Sequence, residues 1–248
     1  MISTEIYPRH SPSALNLFCA SPSMFVLERI LRIKQPVGVP AHRGVAVEDG
    51  VTHGLLNPDA ALKDCVDVAQ LKYDNLTALS TDDRRAKYRD NIPDMVSQAL
   101  AELRPYGVPS ATQGFVEWQP EGLTLPIVGY FDYEFADKGT IVDLKTTERI
   151  PSEIKIPHAR QVSLYVTATG DNKRGLLSYA SPKKVVTYQL ENAREHLKAL
   201  HQIALRVEKF LSLSEDPQFY LSITAPDLDS YFWNSPAARQ LSHEMWGV

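Results

Sequence analysis

The feature that most restricts the fold of this chain is a single acidic hairpin. Gly129-Tyr130-Phe131-Asp132-Tyr133-Glu134-Phe135-Ala136-Asp137-Lys138-Gly139-Thr140-Ile141-Val142-Asp143-Leu144-Lys145-Thr146 reads as two strands around a tight Asp-Lys-Gly turn. A turn centred on Asp137 and Lys138 sets Asp132 opposite Asp143. Side chains alternate along a strand, so Lys145 shares the face of Asp143, while Val142 and Leu144 point into the core. A slip of one residue would break the pairing, so the register is an expectation. Like charges placed opposite each other destabilise a sheet. A hard divalent cation would offset that repulsion, since Mg²⁺ takes carboxylate oxygens, a main-chain carbonyl and waters. Taken alone, these residues are better read as an ordinary solvated hairpin, with Lys145 balancing the charge.

The flanking sequence supplies helices and further strands. Ser11-Pro12 and Ser21-Pro22 have the form of N-caps followed by proline at the first helical position. Val47, Val51 and Leu55 recur every four residues, which predicts a helix with Glu48 beside its buried stripe. Thr81 to Tyr106 is polar-helical, restarted by Pro93 and stopped at Gly107. Phe115 to Tyr133 turns at Pro120-Glu121-Gly122, and a helix is expected from Pro157 to Thr167. Leu176–Tyr179 and Val185–Tyr188 form a hairpin about Ser181-Pro182-Lys183-Lys184, and Glu191 to Leu213 a long amphipathic helix.

With 248 residues and no Gly/Ser-rich or Pro-rich divider, the expectation is one domain over 1–248, with N-terminal helical elements and a C-terminal helix and tail. The N-terminus has no basic-then-apolar signal pattern, and no apolar run approaches the roughly 20 residues of a membrane span. The location read from this is cytoplasmic, the host cytoplasm if the gene is phage-borne. Cys19 and Cys65 are too few for a disulfide scaffold or a zinc site and are expected to be buried thiols. A formal charge of −4 disfavours a nonspecific nucleic-acid coat but leaves room for a basic groove around an acidic site.

Five pieces, in order, resemble the RecB-like nucleases of the PD-(D/E)XK superfamily. They are Ser11-Pro12-Ser13-Ala14-Leu15-Asn16-Leu17-Phe18 with Ser21-Pro22, Arg43-Gly44 with Glu48, Gly129-Tyr130-Phe131-Asp132, Asp143-Leu144-Lys145-Thr146-Thr147, and Gln161-Val162-Ser163-Leu164-Tyr165. The last places Gln161 and Tyr165 on one helical face, within reach of a phosphate or base. Two departures stand out. Ser21 replaces the family's cysteine, and Glu48 stands where many members carry His, as in phage lambda-type exonucleases. With no cysteine after Cys65, an iron-sulfur cluster is excluded.

The resemblance implies an α/β fold, a central mixed β-sheet flanked by helices with a restriction-endonuclease-like core. It also implies Mg²⁺ or Mn²⁺ held by Glu48, Asp132, Asp143 and the Leu144 main chain. Lys145 would assist the attacking water, and Arg43, Gln161 and Tyr165 would contact DNA. The implied reaction is phosphodiester hydrolysis by an exonuclease in recombination, repair or replication. A structure-specific or flap endonuclease, and a catalytically silent DNA-binding protein, are the alternatives. Homo-oligomerisation and a recombination partner protein stay open.

Overall fold

The computed structural model describes residues 4–170 and 173–248. Their strands form a mixed sheet in the order β1 (Ala111–Trp118), β2 (Ile127–Phe135), β3 (Thr140–Thr146), β4 (Arg174–Ala180), β5 (Val185–Gln189). β2 and β3 are antiparallel, β3 and β4 parallel, β4 and β5 antiparallel. The parallel step requires a crossover, which a helix between β3 and β4 provides (Ile156–Ala168). The result is an α/β fold with a five-stranded mixed sheet flanked by helices. Among the described residues, no helix is long and apolar enough to cross a membrane.

The chain divides into two compact units. One comprises the chain up to Pro36, Glu117–Gly129 and Arg194–Val248. It opens on α1 (Pro12–Ala20) and α2 (Pro22–Phe25), where Ser11 and Ser21 accept from the Ala14 and Met24 amides as the Ser-Pro steps predict. Its buried polar centre is a relay. Tyr7 meets His10 Nδ1 at 3.1 Å, His10 Nε2 meets Glu208 at 3.3 Å, and the Glu208 carboxylate accepts from the Thr124 and Leu125 amides. Trp233 is fully buried with Met24 and Leu27, so this tail aromatic packs a core, whereas Tyr231 is 82% exposed. Cys19 is also exposed, contrary to expectation, because it falls near the end of a short helix whose buried side is Ala14 and Leu15.

The second unit holds Val37–Val116 and Tyr130–Ala193. Val47, Val51 and Leu55 of α3 (Val39–Leu56) are buried, as their spacing predicts. They share a core with Val142 and Leu144 of β3 and with Val96 and Leu100 of α6 (Ile92–Leu103), which follows the short α5 (Arg85–Asp90). Gly107, at φ 95°, ends the turn after α6. A helix that sequence periodicity did not reveal, α4 (Leu62–Leu76), packs closely against α3. Its buried residues, Cys65, Ala69 and Tyr73, recur every four positions on the face turned to α3. Gly50 and Gly54 of α3 make the contact possible: a Cβ on Gly50 would lie 2.5 Å from the Cys65 carbonyl oxygen, and one on Gly54 would lie 2.8 Å from its sulfur.

Candidate active site

The hairpin pairs as the alternation predicts, with Tyr133 opposite Val142, Glu134 opposite Ile141 and Phe135 opposite Thr140. Asp132 and Asp143 are the next residues of the two strands beyond the Tyr133–Val142 pair. Val142 and Leu144 enter the core with α3, so Asp143 and Lys145 occupy the other face of β3. The crossover helix, named α7 here, packs against β3 and β4.

Asp143 is completely buried, and neither carboxylate oxygen has a hydrogen-bond partner. Its Oδ2 lies 2.7 Å from Lys145 Nζ, an ion pair at contact distance. Asp132 is 7% exposed, and its Oδ2 accepts from the Leu144 amide at 2.7 Å. Burial pushes the Asp132 carboxyl well above the usual range, and the Asp143 charge adds to the push. Glu48 on α3 is raised too, chiefly by burial, with Lys145 opposing. For Lys145, burial favours the neutral amine, but Asp143 and Asp132 outweigh it and the group is held as an ammonium.

Sequence reading missed two residues here. Gln113 on β1 donates from Nε2 to Glu48 Oε1, and to Asp132 Oδ1 at 3.2 Å. It stands outside the recognisable motifs, and a lone glutamine on a strand carries no periodic signal. His158, in the first turn of α7, meets the Tyr179 hydroxyl through Nδ1 at 2.8 Å and stacks on that ring. Tyr179 is the β4 partner of Lys145. Burial, then the Lys145 charge, lowers the His158 pKa to about 4. The run His158-Ala159-Arg160-Gln161 could have drawn attention to His158, but an isolated helical histidine is usually read as packing.

The remaining candidates divide. Gln161 and Tyr165 do share a helical face, with Gln161 Nε2 donating to the Tyr165 hydroxyl at 2.6 Å. Tyr165 is only 1% exposed, however, so Gln161 alone of the two is open to a ligand. Arg43 is likewise buried, ion-paired to Glu148 and lying over the Tyr88 ring at 4.7 Å, so it does not face a substrate surface. Glu117 is exposed on β1.

Among the described residues, no three His, Cys, Asp or Glu side chains close into a ready-made metal cage. The donor set nevertheless fits a hard divalent cation. It is entirely oxygen, and Asp143 is a fully buried carboxylate that keeps acceptor capacity beyond its ion pair with Lys145.

A family profile described as the PD-(D/E)XK nuclease superfamily matches residues 9–224, a stretch that contains every residue of this site. No curated protein sequence matches significantly. Among solved structures, the one titled "Crystal structure of SSO0001" is 12% identical, with 76% of this chain and 95% of that chain covered at a TM-score of 0.37. A likeness of that size supports no functional argument.

Proposed function

Because the chain belongs to the PD-(D/E)XK nuclease superfamily, we propose that it hydrolyses DNA phosphodiester bonds with Mg²⁺ or Mn²⁺, as a RecB-like exonuclease acting in recombination, repair or replication. The observation that carries this reading is Asp143, a fully buried carboxylate ion-paired to Lys145 and close enough to Asp132 for the two acids to act on each other. Glu48, Asp132, Asp143 and the Leu144 carbonyl would hold the cation. A hard divalent cation in such a site makes water a better nucleophile at neutral pH and neutralises charge developing on the phosphate.

The protein's own groups would do the rest. In the cation-free site Asp143 and Asp132 hold Lys145 as an ammonium, and Lys145 would present that charge to the attacking water and the phosphate oxygens. Gln161 would orient a DNA strand, with Tyr165 fixing its amide from below. Arg43 would serve indirectly, its pairing with Glu148 bracing α3, which carries Glu48. The choice of exonuclease, and the likeness to phage lambda-type enzymes through Glu48, rest on the motif resemblance. Since the family match runs through segments of both compact units, we treat them as parts of one nuclease domain.

The deciding experiment digests end-labelled linear DNA and covalently closed circular DNA with Mg²⁺, Mn²⁺ or EDTA. Cation-dependent loss of linear DNA, with the closed circle spared, is the expected result. Nicking of the circle would assign an endonuclease, and no cleavage of either form would remove the enzymatic reading.

A further inference from the structure

We propose that Gln113 is a displaceable placeholder: in the cation-free protein its amide nitrogen takes the position between Glu48 and Asp132 that a divalent cation would fill, and it withdraws when the cation enters. This inference rests on the preceding reading that these carboxylates hold the cation. It adds a control on cation uptake, carried by a side chain outside the recognised motifs.

The geometry is specific. One nitrogen, Nε2, donates to a carboxylate oxygen from α3 and, at 3.2 Å, to another from β2. Both contacts are made by the amide nitrogen, which donates, so the NH₂ group and not the carbonyl faces the two acids. That NH₂ group brings partial positive charge between two negative groups, as a cation would. It has no lone pair available to ligate a metal, however, so amide and cation cannot share the position. The backbone is committed to the same end. Gln113 has φ 50°, a left-handed conformation costly for a residue other than glycine, within a strand that is otherwise extended. The residue is largely exposed, so core packing does not explain the strain. What the conformation achieves is the reach of the amide to both acids.

A site that must first expel an internal occupant binds its ligand more weakly by the fraction of time the occupant is away. Hydrogen bonds to charged groups are among the stronger ones, so losing this occupant should tighten cation binding about tenfold.

The test titrates Mn²⁺ into DNA-free protein by calorimetry, with free Mn²⁺ counted by electron paramagnetic resonance, for the parent, Gln113→Ala and Gln113→Gly. The glycine variant accepts the left-handed backbone without strain and decides the matter should the alanine variant fold poorly. The same proteins are melted in EDTA and at one fixed Mn²⁺ concentration. Both variants should bind Mn²⁺ about tenfold more tightly than the parent, and the rise in melting temperature that Mn²⁺ gives should be larger in them. Comparing that rise within each protein cancels any change in backbone strain. Parental or weaker affinity in both variants overturns the placeholder and makes Gln113 a ligand or a strut, leaving the metal reading intact. A parent protein that takes up no Mn²⁺ overturns both.

Discussion

The carboxylate of Asp132 accepts a hydrogen bond from the backbone amide of Leu144 at 2.7 Å, so this acid ties β2 to β3 at the same place where it faces Asp143. It therefore has two separable roles, as an acceptor and as a charge. Asp132→Asn keeps an acceptor for the Leu144 amide and removes the charge, whereas Asp132→Ala leaves that buried amide unpaired. Both variants should lose cleavage. In metal-free buffer, urea unfolding should show Asn at or above parental stability and Ala lower by about 1–3 kcal/mol. Equal stability of the two variants would remove the structural role.

Asp143 differs, since its carboxylate meets the Lys145 ammonium and not a backbone amide. Asp143→Ala removes a buried charge from an acidic cluster, and Lys145 keeps Asp132 as a neighbouring negative group. Metal-free melting should hold or rise, while Mn²⁺ binding and cleavage disappear. A large drop in melting temperature without metal would make Asp143 a structural counter-ion.

Lys145→Ala separates chemistry from binding. The ammonium acts where charge develops, so single-turnover cleavage at saturating Mg²⁺ should fall on the order of a hundredfold or more. DNA affinity, measured in Ca²⁺ to keep the substrate uncut, should change only a few-fold, about the scale of one lost phosphate contact. Cleavage at nearly the parental rate would reduce Lys145 to a charge balance within the hairpin.

His158 gives the stability a pH signature. Its pKa is about 4 in the fold against an ordinary 6.5, so between those values the unfolded chain binds the proton and the native protein does not. The unfolded state thus carries more protons, and this residue makes stability rise as pH climbs from about 4 to about 6.5, with no further gain above. In His158→Gln the difference in unfolding free energy between pH 5 and pH 7 should shrink relative to the parent. An unchanged difference would mean that His158 is not held neutral against Tyr179.

The α3–α4 seam offers a test remote from the chemistry. A methyl group on Gly50 would meet the Cys65 carbonyl oxygen at 2.5 Å and the Ala69 Cβ at 2.8 Å, and helix backbone cannot yield easily. Alanine is the better helix former by about 1 kcal/mol, yet overpacking should prevail, with Gly50→Ala less stable by about 1–3 kcal/mol in denaturant unfolding. A stabilised variant would show the seam to be looser than it stands.

The sequence by itself determined what depends on neighbours along the chain. The Asp-Lys-Gly turn and two-residue alternation set the pairing of Tyr133 with Val142, and so the approach of Asp132 to Asp143. The Ser-Pro caps, the Val47-Val51-Leu55 stripe and the second hairpin follow from equally local rules. Tertiary structure decided the rest. Gln113 reaches Glu48 across 65 positions of sequence, and nothing local marks either residue as the other's partner. Arg43 and Tyr165 look like surface ligands by residue type, yet close packing buries both, while Cys19 is left exposed. Helix α4 lies close to α3 because Gly50 and Gly54 leave room for Cys65 and Ala69, a fit that depends on both segments. Backbone periodicity is a short-range property and can be read from the chain. Desolvation and the partnering of polar groups depend on distances that arise only once remote segments meet, and those distances give Asp143 its full burial and Gln113 its place between two acids.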